Sequence, residues 1–314
     1  MKRALLIVNM GGPSSLDEVK PYLKSIFDDP LILTVPNFIR MPLSRLIVKR
    51  RLEKVKSRYT LIGGKSPLLG WTQKLVAGLK DHSNNSSEPY FSEISYAFRY
   101  SAPLISESLQ MLSERGVKEL TLLPMFPHYA KAMSGSIAIE AERAVQKSDI
   151  KLKVLPAWGI VDEVISLQNR YIADAMTGIN SETHVLFVAH GIPQRSVDRG
   201  EDYPIRVADT ARAISNSLPD TSSWSLAFQS RFGPVKWTEP YIEEEITRHA
   251  SHDKTLVMVP LSFVADCLET LYDLDSVATD LAIKAGYKRV IRVRTYNDDP
   301  EFAKIMLKIA SGSK

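Results

Sequence analysis

A chain of 314 residues with 44% hydrophobic and 24% charged side chains has the composition of an ordinary soluble globular protein with room for two compact domains. Its net charge of +4 is too small to indicate nucleic acid as a partner. Cys267, the sole cysteine, excludes an intrachain disulfide and a cysteine-held iron–sulfur cluster, and fits a reducing compartment.

The opening MKRALLIVNMGGP carries an apolar run too short for a signal segment or a membrane span, and reads as the first strand of a cytoplasmic protein. The stretch Ser14 to Tyr90 separates it from the next strand by roughly eighty residues. Within that stretch Phe38, Ile39, Met41, Leu43, Leu46, Ile47 and Val48 interleave with Arg40, Arg45, Lys49, Arg50, Arg51, Lys54, Lys56 and Arg58. An apolar body with a basic rim suits a flat, greasy, anionic ligand. The same pattern suits the inner face of an anionic membrane, to which the protein would be peripheral, or an ordinary helix with a solvated basic face.

Strand-like segments then alternate with helix-like ones, and the second half repeats the first in the same order. LLIVNMGGP from Leu5 is echoed by VLFVAHGIP from Val185, and SYAFRYSAP from Ser95 by SLAFQSRFGP from Ser225. ELTLLPMFPHY from Glu119 is echoed by KTLVMVPLSFVAD from Lys254. KLKVLPAW from Lys151, with its helix to Met176, is echoed by KRVIRVRTYN from Lys288, with its helix over 301–310. Four β/α alternations per half predict an α/β protein of two similar Rossmann-like domains, each with a four-stranded parallel sheet flanked by helices, and a cleft between them.

Ligands of open parallel sheets bind beyond the carboxyl ends of the strands, and two groups fall there. His190 ends the apolar run VLFVAH, where the first half has Met10. Past LVMVPLSF, Phe263 is followed by Asp266, Cys267, Glu269, Asp273 and Asp275; on an α-helix Glu269 and Asp273 share a face at i,i+4. A solvated acidic first turn and a satisfied turn histidine are the plain alternatives. NMGGP lacks the third glycine of a dinucleotide fingerprint, and IGGKSP is not a phosphate loop. His128 lies at a strand end, whereas His82, His184, His249 and His252 read as surface residues. No HxxxH, CxxC or HExxH spacing suggests a permanently bound structural metal.

NMGGP, IGGKSPLLGWT, AFRYSAP, VAHGIPQRSVDRGEDYP, FQSRFGPVKWTEP and ADCLETLYDLD, in this order over essentially the whole chain, resemble the ferrochelatase family. The resemblance implies a chelatase fold, with residues 1–160 plus 296–314 as the first domain, the insert 14–90 as an apolar lip, and 161–295 as the second. It implies insertion of Fe²⁺ into protoporphyrin IX to give protohaem, with iron as substrate and no resident cofactor. By position, His190 matches the family's active-site histidine and Glu269 the glutamate of its DHxE motif; these two are the candidate metal contacts, with Asp273 as a further catalytic carboxylate. Met10, Arg99, Tyr100 and Trp237 fall on porphyrin-surrounding positions, Tyr59 and Ser66 near its propionates, and Phe263 borders the same site.

Three departures stand out: Cys267 replaces the histidine of DHxE, Val277 a further acidic residue, and no cysteine-bearing extension follows Lys314. Metallation exchanges two pyrrole protons for a dication. A neutral imidazole accepts protons near pH 7, and paired carboxylates guide the cation or carry protons away. Arg99, Arg50 and Arg51 suit propionates, which guanidinium takes bidentately. Coproporphyrin in place of protoporphyrin, a cobalt or nickel chelatase, and a non-catalytic tetrapyrrole carrier are the alternative readings.

Overall fold

The computed structural model describes residues 1–146 and 148–312, arranged as two compact units: Met1–Ala157 with Asn297–Lys314, and Trp158–Tyr296. In the first unit β1 (Arg3–Asn9), β2 (Glu93–Phe98), β3 (Glu119–Pro124) and β4 (Lys151–Val154) form one parallel sheet in the order β2-β1-β3-β4. Ala4 to Val8 are all buried, as expected of a central strand covered on both faces. Packed against them are α4 (Ile105–Glu114) and α5 (Ser136–Val145) through Ile105, Leu109, Leu112, Ile137 and Ala141.

The insert folds as three helices, α1 (Val19–Asp28), α2 (Asn37–Leu61) and α3 (Leu68–Asn84). Helix α2 buries only Ser44, Val48, Val55 and Tyr59, a narrow stripe that leaves most of its surface to solvent. The chain's last helix, α11 (Pro300–Ser311), packs on α3, where Gly78 lets the two axes approach: a Cβ there would sit 3.4 Å from that of Ala303. Asp299 caps α11 by accepting from the N–H groups of Glu301 and Phe302, contributing about 1 kcal/mol, and Gly312 closes it with φ 73°.

The second unit repeats the design. β5 (Thr183–His190), β6 (Ser222–Gln229), β7 (Thr255–Pro260) and β8 (Arg289–Arg292) pair in parallel in the order β6-β5-β7-β8. Register makes the duplication concrete, since Val8 lies opposite Pro124 as Val188 lies opposite Pro260. α6 (Asp162–Met176), which follows β4 in the chain, belongs to the second unit, and α11, which follows β8, to the first. The insert's place is taken by α7 (Gln194–Asp198) and α8 (Tyr203–Ser215), while α9 (Ile242–Arg248) follows β6.

Three expectations change. The counterpart of Pro103 is Pro240, not Pro234: Phe98 N–H donates to the Pro103 carbonyl as Phe228 N–H donates to that of Pro240. The second copy therefore holds a longer loop, from Ser230 to Glu239, which brings in Trp237. The acidic stretch after β7 is not an α-helix. Glu269–Ala278 is a π-helix that runs into α10 (Thr279–Ala285), and a short π-turn, Lys131–Gly135, precedes α5 at the matching place in the first unit. His184 is not a surface residue. It is fully buried at the start of β5, Nδ1 and Nε2 lying 2.8 and 3.0 Å from the Ser223 and Ser225 hydroxyls and its ring stacked 4.1 Å from that of His249.

Candidate active site

His190 is held from both sides of its backbone at the carboxyl end of β5. Its N–H donates to Ser262 Oγ at 2.7 Å, and its carbonyl accepts from the Tyr203 hydroxyl at 2.9 Å. Burial raises the Tyr203 phenol above its ordinary pKa, so it stays protonated as that donor. Nδ1 of the imidazole lies 2.7 Å from the Gly191 carbonyl. A carbonyl oxygen only accepts, so the proton of the neutral ring sits on Nδ1 and the lone pair on Nε2. Trp237 and Phe263, both buried, flank the ring at 6.4 Å each, and Trp237 is itself tied down by its Nε1–H to the Phe232 carbonyl. Gly191 stands in a tight place, since a Cβ there would lie 3.1 Å from the Gln229 carbonyl and 3.2 Å from Thr238 Oγ1.

Gln229 links the histidine to the acidic helix. It pairs with His190 in register, its carbonyl accepts from Gly191 N–H at 2.9 Å, and its side-chain amide reaches the Glu269 carbonyl at 3.4 Å. Glu269 is the first residue of the π-helix and is half-buried, as is Asp273. Because hydrogen bonds in such a helix run from i to i+5, Asp273 and the buried Leu274 flank the position one turn below Glu269. Cys267 precedes the helix. Its thiol, half-buried, is pushed well above the ordinary range by burial and then by the Glu269 carboxylate beside it. In the metal-free protein these two effects favour the neutral thiol. Among the described residues no three His, Cys, Asp or Glu side chains gather closely enough to hold a metal ion.

In the first unit Met10 follows β1, partly buried, with its carbonyl accepting from Tyr100 N–H at 3.0 Å. Gly11 before Pro13 has φ +88°, and a Cβ there would collide with Ser101 Oγ at 2.1 Å. Ser66, buried, donates its N–H to the Pro13 carbonyl, so the NMGGP and IGGKSP loops meet. Arg99 and Tyr100 follow β2 and converge on Asp29, a buried carboxylate at the end of α1: Arg99 Nη2 lies 2.9 Å and the Tyr100 hydroxyl 2.8 Å from Asp29 Oδ2, with Ser136 on the same oxygen. Burial and then the Asp29 charge raise the Tyr100 phenol, which is therefore a fixed donor. Arg50 is exposed on α2 and Tyr59 buried on it. Arg51 lies over the Phe27 ring at 5.8 Å, its pKa lowered by burial and then by Arg58.

Sequence reasoning overlooked Asp29 and Gln229. The second had a signal: by the echo of SYAFR in SLAFQ it occupies the place of Arg99.

These two parallel α/β units, with chemistry-bearing side chains at the carboxyl ends of their strands, define a chelatase-type fold. The solved structure of SirB from Bacillus subtilis with Fe³⁺ has it, at a TM-score of 0.61 and 15% identity over 100% of this chain and 97% of that one. DR2241 from Deinococcus radiodurans, described as similar to chelatases, gives 0.58 at 12% identity, this chain spanning 55% of it. The family model for ferrochelatase matches residues 2–313. Ferrochelatases of Geobacter metallireducens and Aquifex aeolicus are 34% and 33% identical over 96% of this chain, covering 95% and 96% of theirs. That of Caulobacter vibrioides is 32% identical over 96% of this chain and 87% of its own. The chain belongs to the ferrochelatase family, the porphyrin metal-chelating lyases that insert iron in haem biosynthesis.

Proposed function

We propose that His190 is the proton acceptor when this chain inserts Fe²⁺ into protoporphyrin IX, and that Glu269 and Asp273 guide the cation or carry the released protons away. One observation carries this reading: the Nδ1 contact with Gly191 leaves Nε2 as the basic nitrogen of a ring set between two aromatic walls. Two pyrrole protons leave as one dication enters, so the site needs a base near neutral pH and donors that do not retain iron. His190 and Glu269 are such donors.

Met10, Trp237 and Phe263 supply apolar contact for the macrocycle, and Arg99 and Tyr100, steadied by Asp29, supply polar contact. Arg50, Arg51, Tyr59 and Ser66 serve the propionates, guanidinium being suited to bidentate pairing with carboxylate. On α2 Phe38 is 79% and Leu61 71% exposed among basic side chains, which supports a lip that touches porphyrin and, peripherally, an anionic membrane on its cytoplasmic side. Among the described residues no helix is long and apolar enough to cross a membrane.

Titration with free-base protoporphyrin and coproporphyrin, followed by Fe²⁺ under anaerobic conditions, tests the reading. Loss of the free-base spectrum and growth of the protohaem spectrum is the expected result. Porphyrin that binds and stays metal-free would make the protein a carrier.

A further inference from the structure

Arg292 ends β8 and lies only 14% exposed against the helix that carries Glu269. Its guanidinium takes Asp275 with two nitrogens, Nη2 donating to Oδ2 at 3.0 Å and Nε to Oδ1, while Nη1 lies 3.0 Å from Asp266 Oδ1 as an ion-pair contact without hydrogen-bond geometry. Asp266 stands three residues before Glu269 and Asp275 six after it. One cation thus grips the chain on both sides of the candidate catalytic carboxylate. The approach to the helix is closed as well: the Thr270 hydroxyl, fully buried, lies 3.0 Å from Asp266 Oδ1 and accepts the Cys267 N–H at 3.0 Å.

A π-helix is a rare winding that competes with the α form of the same residues. An α-helix places fewer residues in each turn. Rewinding Glu269–Ala278 would lengthen the segment and rotate Asp275 about its axis relative to Asp266, so the two carboxylates could no longer share one guanidinium. Burial by itself would lower the Arg292 pKa, but the Asp275 hydrogen bonds and the charges of both carboxylates outweigh it and raise the value. Asp275 is 35% exposed against 14% for Arg292, and an ion pair open to solvent on one side adds little net stability, which points to geometry as what this one provides.

We propose that Arg292 is a positioning residue for metal insertion: by holding Asp266 and Asp275 together it keeps Glu269–Ala278 wound as a π-helix and so fixes where the Glu269 carboxylate stands. The proposal rests on the assignment of Glu269 to the chemistry. Lysine keeps the charge but offers no planar fork, so Arg292→Lys removes the clamp while leaving a cation.

The experiment compares Arg292→Lys, Asp275→Asn and Glu269→Gln in the full chain by amide hydrogen exchange, protoporphyrin affinity and steady-state kinetics with Fe²⁺. For Arg292→Lys, exchange over Glu269–Ala278 becomes roughly tenfold or more faster while the β5 and β7 strands keep their protection. Its kcat falls about 10- to 100-fold with porphyrin affinity unchanged. Asp275→Asn, which frees only one end of the clamp, moves both readouts the same way by less, and adding it to Arg292→Lys brings little further loss. Wild-type kcat in Arg292→Lys, or a fall in kcat without faster exchange in that segment, overturns the proposal. If Arg292→Lys does not fold, wild-type kcat in Asp275→Asn does the same. Normal turnover by Glu269→Gln would instead remove the assignment beneath it, and the proposal with it, whereas a crippled Glu269→Gln beside a normal Arg292→Lys defeats this proposal alone.

Discussion

Nδ1 of His190 and the carbonyl oxygen of its neighbour Gly191 lie 2.7 Å apart, a contact that a carbonyl oxygen makes only with a protonated Nδ1. The first prediction follows from it. In ¹⁵N NMR of the neutral protein, His190 shows a protonated Nδ1 and an unprotonated Nε2. A ring protonated on Nε2 would leave no lone pair there for a pyrrole proton, and would contradict the assignment.

The winding of the acidic helix sets the second prediction. Glu269 opens the π-helix next to Gln229, whereas Asp273 shares the turn below with buried Leu274. Glu269→Gln should lower kcat by about 10²- to 10⁴-fold, the range for loss of a group that moves protons, and Asp273→Asn by less. A larger loss in Asp273→Asn would show that the second carboxylate, not the first, meets the reacting atoms.

The exposed face of α2 carries the third. Because Phe38 and Leu46 are exposed, replacing both with glutamate should change stability by no more than about 0.5 kcal/mol per site. Porphyrin affinity and retention on anionic vesicles should both fall. Unchanged affinity and vesicle binding, measured by fluorescence and co-sedimentation, would make this face an ordinary solvated surface.

The fourth prediction concerns pH. His184 is buried between two serine hydroxyls, and burial, followed by the charges of His249 and Lys254, pushes its pKa down to about 3. An unfolded histidine titrates near 6.5. Between these values the unfolded chain binds a proton that the folded one refuses, so the stability held above about pH 6.5 is lost progressively as pH falls toward 3. Denaturant titrations should show a loss of about 2 kcal/mol from this group between pH 6.5 and pH 5. His184→Gln, which cannot titrate, should lack that part of the slope; an identical slope in the variant would place the effect elsewhere.

The duplicated framework was legible in the sequence for a physical reason. Strands buried on both faces must be apolar, and their ends must turn, so LLIVNMGGP and VLFVAHGIP recur with Met10 and His190 at matching places, and the sheet registers agree. The same logic brought Glu269 to notice, whereas Trp237 entered only through the family resemblance. What stayed hidden depends on contacts distant in the chain. Asp29 reads as the end of a surface helix until Arg99, Tyr100 and Ser136 close on it from 70, 71 and 107 residues away. Arg292 reads as a polar strand end until it meets Asp266 and Asp275. The π-winding has no period of its own that a short stretch such as ETLYDLDSVA could reveal, since its residues also satisfy an α-helix. His184 was misjudged because serine hydroxyls on an adjacent strand, not solvent, satisfy its ring.

Anaerobic metallation of protoporphyrin IX with Fe²⁺ by His190→Ala alongside the wild type, with porphyrin binding followed in the same samples, decides whether His190 is the base for iron insertion. The variant is expected to bind the porphyrin with near wild-type affinity while its metallation rate falls by about 10²-fold or more. A variant that forms protohaem at close to the wild-type rate would contradict that role.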